Sequence, residues 1–474
     1  MAILADRLLR IKEDPQRIVD PLVVAQACRD NNHTYRKRTL DPFTTIGAMV
    51  AQIAAGNTAM TDLVGLMGNT FSPSAYCQAR ARLPLAVLKV VLDDFIKKLR
   101  ERFDVARDGA AKGDHGVAKA ADAATGDGRW RGLRIVLIDG TGVVMPDTPE
   151  LRTHFGTAAT YNEGCGLPLA AVLIVFDAHH GMLLDMTVSS AHAGELRHAP
   201  ELHPAMQRGD VLVGDRGLCS YKHLFEVGSG GFHTIFRMGF GRKVDFPALP
   251  GPREKNGYNR HRAERATLVL RHSDDDQIVE IIKPHNRPRH VTAEEFAKIP
   301  AKQEVRTLRF RIDEPGVRSS EITVMTTLLD ATQYPAAEIA ELYRARWRIE
   351  QNMRHLKRTM NMERLKCETV EGVKRELMAF ALVYNAVCAC RVLAAQAQGV
   401  PPLRISFVDT LRWMLRTSGD VPKQVEVLGP LVVLPLRKPR SYPRARKRSD
   451  SPFPVMNWPR KELTKIALAG GAAA

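Results

Sequence analysis

Three strand-like segments in a row, followed by alternating helices and strands, are the feature that most constrains the fold of this chain. The apolar, β-branched segments lie at 133–138, 169–177 and 182–190. After them the pattern predicts a helix at 195–207, a strand at 210–214, a helix at 221–227 and a strand at 232–238. Successive strands followed by alternating elements are typical of a mixed α/β sheet. The sequence therefore predicts an α/β core that begins near residue 129.

The segments on either side of this core have different patterns. Residues 1–106 carry apolar residues at three- and four-residue spacing, and Asp41-Pro42 and Ser72-Pro73 mark helix starts, so we expect a helical N-terminal domain. A segment rich in Ala, Gly and Asp predicts a linker at 107–128. The remaining expected boundaries are a first core part at 129–239, a β-rich insertion at 240–320, a last core strand and helix at 321–372, and a C-terminal helical region with a basic tail at 373–474.

Charge favours a polyanionic partner. Among 474 residues, 69 are Lys or Arg and 52 are Asp or Glu, which gives a formal net charge of +17. Such an excess most often serves nucleic-acid binding, although a basic enzyme with a solvated surface is the alternative. The segment 437–448 has no acidic residue and predicts either an arm along a phosphate backbone or a solvated tail. Its basic residues are Arg437, Lys438, Arg440, Arg444, Arg446, Lys447 and Arg448.

Composition also excludes several classes of protein. The longest apolar stretch, at 377–390, is too short to span a bilayer and predicts a buried helix. The N-terminus is charged early, unlike a signal peptide, and seven cysteines argue against a disulfide scaffold. Since no Gly-x-Ser-x-Gly elbow or Walker-type loop occurs, neither a serine hydrolase nor an ATPase is expected. We therefore expect a soluble, cytoplasmic protein without a membrane partner.

Two aspartates follow buried-looking strands. Asp139 stands in the sequence LIDGTG and Asp215 in VGDRG, each with a glycine within two residues. A carboxylate at the carboxyl end of a strand lies where loops form binding sites, and a glycine lets a ligand approach closely. Either aspartate alone could be an ordinary turn residue. Asp185 and Glu195 are reserve candidates for the second carboxylate.

A long helix predicted at 335–360 carries a polar stripe. At 100° per residue, its members lie within about 60° of one helix face, beside an apolar stripe that would pack on the core. The stripe consists of Tyr343, Arg346, Glu350 and Lys357. An amphipathic helix with surface ion pairs is the alternative interpretation. If the helix faces the two aspartates, three carboxylates with basic neighbours suit Mg²⁺-assisted phosphoryl transfer.

The spacing Y-x₂-R-x₃-E-x₆-K of this stripe resembles the signature of DDE transposases of bacterial insertion sequences, in the family named after insertion sequence four. The turn Asp139-Gly140-Thr141 and the position of Asp215 after an apolar strand are similar to the family's other two acidic motifs. The long gap between Asp215 and Glu350 resembles members in which a β-rich insertion splits a ribonuclease-H-like fold. The motifs cover about residues 133–366.

The resemblance implies a fold, an activity and a site. The fold would be a ribonuclease-H-like α/β core with a β-rich insertion and a helical N-terminal domain that binds DNA ends. Asp139, Asp215 and Glu350 would bind two Mg²⁺ or Mn²⁺ ions, Arg346 and Lys357 would contact phosphates, and Tyr343 would hydrogen-bond near the cleaved end.

The implied reaction is cleavage at the transposon ends and transfer of the 3′-OH into target DNA. The implied partners are double-stranded DNA, as terminal inverted repeats and target, and a second copy of the chain on paired ends. Two alternatives stay open: a metal-dependent nuclease on the same fold, and a catalytically silent DNA-binding protein derived from a transposase.

Overall fold

The computed structural model of the chain describes residues 19–110, 128–158, 165–239, 242–247, 264–311, 321–415 and 431–435, together with Glu462 and Lys465. The basic residues at 437–448 and most of the predicted linker lie outside the described residues. The first described part is helical, as predicted, and consists of α1 (Pro21–Asp30), α2 (Pro42–Ala54), α3 (Met60–Leu66), α4 (Pro73–Arg82) and α5 (Leu85–Ala110).

The two helix starts predicted in this part are confirmed. Asp41 caps α2 by accepting a hydrogen bond from the Thr44 backbone N–H at 2.8 Å. Ser72 caps α4 through the Ala75 backbone N–H at 3.2 Å. Each cap satisfies a backbone donor that the first helical turn leaves without an intrahelical partner, and each is followed by proline at the first helical position.

A mixed sheet forms the centre of the molecule. Its strands are β1 (Arg129–Trp130), β2 (Leu133–Val144), β3 (Leu169–Asp177), β4 (Leu183–Ser190), β5 (Val211–Gly214), β6 (His233–Arg237), β9 (Thr267–Ser273), β10 (Asp276–Ile282), β11 (Lys302–Arg311) and β12 (Glu321–Thr326), while β7 (Arg242–Lys243) and β8 (Glu264–Arg265) pair separately. The order is β4-β3-β2-β5-β6-β12-β11-β10-β9, with β1 beside β2. Strands β2, β5 and β6 are parallel, and the other neighbours in this sheet are antiparallel. The three long strands of the predicted insertion, β9 to β11, therefore extend the central sheet through β12.

The remaining helices lie between and after the strands. They are α6 (Pro149–Phe155), α7 (Glu195–His198), α8 (Tyr221–Ser229), α9 (Ala293–Lys298), α10 (Ala336–Ala345), α11 (Trp347–Arg354), α12 (Val370–Gln398) and α13 (Phe407–Leu415). The buried strand residues alternate between two cores: Leu137 and Val213 face the larger one with α11 and α12, whereas Ile138 and Leu212 face a smaller one with α8.

Two predicted elements before the last helices need correction. Strand β2 continues through Asp139 to Val144, because β3 pairs with it along this length, so Asp139 lies within a strand and not at its end. The predicted helix at 195–207 is a single α-helical turn, α7, followed by a 3-10 helix. Pro200 and Pro204 lie in that 3-10 helix, and they lack the backbone N–H that a continuing α-helix needs.

The predicted helix at 335–360 also differs from the structure, because it is divided at Arg346 into α10 and α11. Around this residue the backbone bonds span three residues, from Arg346 N–H to Tyr343 O at 3.1 Å and from Ile349 N–H to Arg346 O at 2.9 Å. Such 3-10 bonding tightens the turn locally without reversing the chain. A π-helical turn (His355–Thr359) then follows α11.

Helix α12 is the centre of the larger core. It is long and apolar enough to cross a bilayer, but 89% of its most apolar window is buried inside the protein, which confirms the predicted buried helix at 377–390. The N-terminal helices pack on the same helix: Asn57 Nδ2 donates to Glu376 Oε1 at 2.7 Å, and Arg375 Nε donates to Leu83 O at 2.6 Å. The N-terminal helices and the sheet thus share one hydrophobic core.

Candidate active site

The register of the parallel strands places the two predicted aspartates side by side. Ile135 pairs with Val211 and Leu137 with Val213, so the same register continued by two residues brings Asp139 level with Asp215. Neighbouring strands lie about 4.8 Å apart. Because side chains alternate along a strand, both aspartates point to the face of Leu137, which is the face covered by α11.

Close packing around Gly214 marks the end of β5, directly before Asp215. Gly214 is tightly enclosed: a Cβ at this position would lie 3.0 Å from Leu218 Cδ1 and Phe236 Cε1 and 3.1 Å from Ile138 Cγ2. Only a residue without a side chain fits there unless these neighbours shift. Asp215 then caps a short 3-10 turn by accepting the Gly217 backbone N–H on Oδ1 at 2.8 Å. The chain therefore leaves the sheet at this residue.

Helices α10 and α11 bring the third carboxylate and an arginine to the aspartates. Buried Ile349 and Met353 hold α11 against the core, which leaves Glu350 on the outer side, 42% exposed. Arg346 Nη1 lies 3.7 Å from Asp139 Oδ2, and its Nη2 lies 3.8 Å from Glu350 Oε1. The guanidinium thus stands between two carboxylates that come from distant parts of the sequence.

The electrostatics of the site follow from this convergence. Burial raises the pKa of Asp139 to about 6; the Arg346 guanidinium opposes the change, and the Asp215 and Glu350 carboxylates add to it. Burial also raises the pKa of Glu195, with further contributions from Asp215 and Asp139. The pKa values of Asp139 and Glu195 are thus both raised, first by burial and in part by the neighbouring Asp215 carboxylate.

A basic cleft of about 520 Å³ opens beside Asp215. It is lined by Asp215, Arg216, Gly217, Arg237, Gly239, Tyr343 and Arg346. The Tyr343 side chain is largely buried, edge-on to Phe310 with ring centroids 6.1 Å apart, and burial raises its pKa. Three guanidinium groups and one phenol therefore surround an opening next to the carboxylates, an arrangement that suits phosphate groups.

The structure brings together five of the six described residues that the sequence singles out for the site. Asp215, Tyr343 and Arg346 line the cleft, and Asp139 and Glu350 lie on either side of Arg346. Lys357 lies farther along, in the π-helical turn after α11, where it is partly exposed. The basic residues Arg437, Lys438, Arg440, Arg444, Arg446, Lys447 and Arg448 lie outside the described residues.

Two arginines of the cleft are absent from the sequence-based set. Arg216 directly follows Asp215, and burial together with the Arg237 charge lowers its pKa. The pairing of Gly214 with Phe236, continued by one residue, places Arg237 level with Asp215. Asp139, Asp215 and Arg237 thus form a row across three parallel strands. The sequence signal for Arg216 is its position directly after Asp215. No such signal exists for Arg237, because its place in the cleft depends on the register between β5 and β6.

The two reserve carboxylates have different surroundings. Asp185, on β4, accepts a hydrogen bond from Lys89 Nζ at 3.3 Å. Glu195, the first residue of α7, lies against Gly140 and near Asp215. Of the two, only Glu195 lies at the candidate site.

The sheet order and the placement of the carboxylates define a ribonuclease-H-like core, with one acidic residue on a strand, one directly after the neighbouring parallel strand and one on a helix after the last strand. The family model of the "Transposase DDE domain" matches residues 130–386, which is more than half of the chain, and the chain belongs to this family.

The chain is similar to two further proteins that are named as transposases. The chain is 24% identical over 466 residues to "Transposase InsG for insertion sequence element IS4" of Escherichia coli (strain K12), which covers 92% of each protein. A structure of piggyBac transposase in a synaptic complex with hairpin DNA matches with 8% identity and a TM-score of 0.38, over 87% of this chain and 79% of that one. The predicted fold class, the predicted family and the function of a DNA transposase are therefore confirmed.

Proposed function

We propose that this transposase works by cut-and-paste transposition, in which each transposon end is cut and its 3′-OH is joined to target DNA. The observation that carries the proposal is the meeting of Asp139 and Asp215, on adjacent strands, with Glu350 and Arg346 on the facing helices. Carboxylates and guanidinium groups at one cleft are the groups that phosphodiester chemistry requires.

The acidic residues fit divalent metal ions. Asp139, Asp215 and Glu350 offer only oxygen donors, which Mg²⁺ and Mn²⁺ prefer. Within the described ranges, no three His, Cys, Asp or Glu side chains already stand close enough to hold one ion, and Arg346 lies between Asp139 and Glu350. We infer that Arg346 turns to a DNA phosphate when the three carboxylates hold two ions. Two bound ions supply activation of an attacking oxygen and stabilisation of a leaving oxygen.

The basic residues of the cleft then position the DNA. Arg216, Arg237 and Arg346 surround the opening, and their planar guanidinium groups can each donate two hydrogen bonds to one phosphate. Tyr343 lines the same opening, and its hydroxyl would donate to a phosphate oxygen near the cut. Lys357 would bind a phosphate farther along the strand.

Each of the two chemical steps forms one P–O bond and breaks one P–O bond. In the first, a water oxygen bonds to phosphorus and the bond from phosphorus to the 3′-oxygen breaks, which frees the 3′-OH. In the second, that 3′-OH bonds to a target phosphorus and the target's own 3′-oxygen leaves. Since each new P–O bond replaces a broken one, joining needs no nucleotide hydrolysis.

The N-terminal helical segment, 1–106, would bind the DNA ends. It carries a groove of about 470 Å³ whose lining includes Arg36, Arg38 and Arg82. Tyr35, which is 40% exposed, stacks on His33 beside them, with ring centroids 5.9 Å apart. Positive charge next to an exposed aromatic ring is a common nucleic-acid surface.

Because two ends have to be joined together, we propose a homodimer on paired ends.

A cleavage and joining assay tests the proposed function. It would combine the full-length protein, the DNA ends that flank its gene, a plasmid target and Mg²⁺ or Mn²⁺. The matched variants are Glu350→Gln at the site and Glu341→Gln, which removes an exposed carboxylate on the preceding helix. We expect joined products with the wild type and Glu341→Gln, and none with Glu350→Gln.

The other outcomes identify the alternatives. Cleaved ends without joined products would show a nuclease. DNA binding without any cleavage would show a silent DNA-binding protein. Equal activity of Glu350→Gln and the wild type would refute the assignment of Glu350 to the site.

A further inference from the structure

The Glu195 carboxylate occupies the space beside a glycine of the active site. A Cβ built on Gly140 would lie 1.9 Å from Glu195 Oε1 and 2.7 Å from its Cδ, distances that no real side chain adopts. The other oxygen points to the second motif, because a Cβ on Gly217 would lie 3.5 Å from Glu195 Oε2 and 3.2 Å from Asp215 Oδ1. One carboxylate thus contacts the residue after Asp139 and approaches the turn that Asp215 caps.

Glu195 reaches this place from the opposite face of the sheet. Side chains alternate along β2, so a side chain at Gly140 would point away from the face that carries Asp139. That opposite face is the smaller core, in which Ala199 and Leu202 anchor the segment that begins with α7. Strand β5 ends at Gly214, so nothing of that strand separates Glu195 from Asp215. Because Gly140 has no side chain and β5 ends at Gly214, there is space for the Glu195 carboxylate.

The surroundings of Glu195 lack a positive partner. Across the parts of the chain that the structure describes, no hydrogen bond or ion pair holds its side chain, and the charges that act on it are those of Asp215 and Asp139. Glu201, six residues later, differs, since it accepts hydrogen bonds from Thr187 Oγ1 and His198 Nδ1. A carboxylate placed beside two others, with no cation of the protein to balance it, is arranged for a bound cation.

We propose that Glu195 is a fourth carboxylate of the active site, and that it moves together with Asp139 and Asp215 when a divalent cation binds. This inference depends on the proposed metal-dependent function. It also explains the glycine of the Asp139-Gly140 motif, which provides the space for the Glu195 carboxylate. Any side chain at residue 140 would displace Glu195 from the two aspartates.

Binding of Mn²⁺ to the full-length protein, measured by electron paramagnetic resonance without DNA, tests the proposal. We expect Glu195→Gln to weaken Mn²⁺ binding by about 10-fold or more, since even the loss of a group that only supports a ligand costs 10- to 100-fold. Glu201→Gln, a loss of charge in the same segment, serves as the control and should bind Mn²⁺ like the wild type. Affinities of Glu195→Gln and Glu201→Gln within twofold of each other would overturn the proposal.

Gly140→Ala gives a second, independent variant. It keeps Glu195 but fills the space that its carboxylate occupies, so we expect a similar loss of Mn²⁺ affinity. Combined with Glu195→Gln it should cause little further loss, because both changes remove one interaction. Fully additive losses would contradict the proposal.

Asp139→Asn separates this inference from the proposed function. If Asp139→Asn weakens Mn²⁺ binding and Glu195→Gln does not, the metal site stands and the role of Glu195 is wrong. If neither substitution changes Mn²⁺ binding, the metal site itself is wrong.

Discussion

Replacing Asp139 with asparagine should make the protein more stable in the absence of divalent metal ions. Burial raises the pKa of Asp139 to about 6, whereas the ordinary value is 3.8. Ionised Asp139 therefore costs the folded protein about 3 kcal/mol relative to the unfolded chain, at 1.36 kcal/mol for each pKa unit. Asparagine keeps the size of the side chain and its acceptor for the Gly140 N–H but carries no charge.

The sign of this effect fixes its pH dependence. Because the folded pKa is raised, the cost is absent below the unfolded pKa of 3.8, grows as the pH rises, and is complete above about pH 6. Asp139→Asn should thus be more stable than the wild type by about 3 kcal/mol at pH 8 and nearly equal to it at pH 4.

Urea unfolding of the full-length protein in EDTA, at pH 8 and pH 4, measures this difference. Asp147→Asn is a control of opposite sign, because its hydrogen bonds with Arg152 hold the pKa of Asp147 below the ordinary value. That variant should be less stable than the wild type at pH 8. A wild type more stable than Asp139→Asn at pH 8, or an equal difference at both pH values, would refute the reasoning.

Three further predictions concern other parts of the molecule. Arg237→Ala should lower the slope of log DNA affinity against log salt concentration by about one, because one phosphate contact is lost. The control variant Arg208→Ala, which removes an exposed arginine near the other end of β5, should leave this slope unchanged. Gly214→Ala should destabilise the protein by about 1–3 kcal/mol in thermal unfolding, because its Cβ would meet three side chains at 3.0–3.1 Å; full stability would contradict the packing. Deletion of 437–474 should weaken DNA binding and flatten its salt dependence, and an unchanged slope would show that this segment does not contact DNA.

The sequence predicts the buried strands best. Strand β3 extends from Leu169 to Asp177, the range that its apolar pattern indicates. A strand covered on both faces needs apolar side chains at nearly every position, so its limits are visible in the sequence. The closeness of Asp139 to Asp215 depends in addition on the pairing of β2 with β5, because Asp139 lies inside β2 and not at its end.

Features that depend on contacts between distant residues could not be predicted. Arg237 joins the cleft only because β5 and β6 pair in one particular register. Glu195 was a reserve candidate for the second carboxylate, and its position against Gly140 depends on how α7 packs across the sheet. The spacing of apolar residues does not predict the division of the long helix at Arg346, because hydrogen bonds that span three residues leave that spacing unchanged.

Cleavage of the protein backbone by bound Fe²⁺ tests the central claim most directly, namely that Asp139, Asp215 and Glu350 form one metal site. Fe²⁺ would replace Mg²⁺ in the full-length protein, ascorbate and peroxide would generate radicals at the ion, and mass spectrometry would locate the cuts. We predict cuts near Asp139, near Asp215 and near Glu350, all suppressed together by excess Mn²⁺. Cuts confined to other segments, or cuts near the aspartates without any near Glu350, would contradict the account.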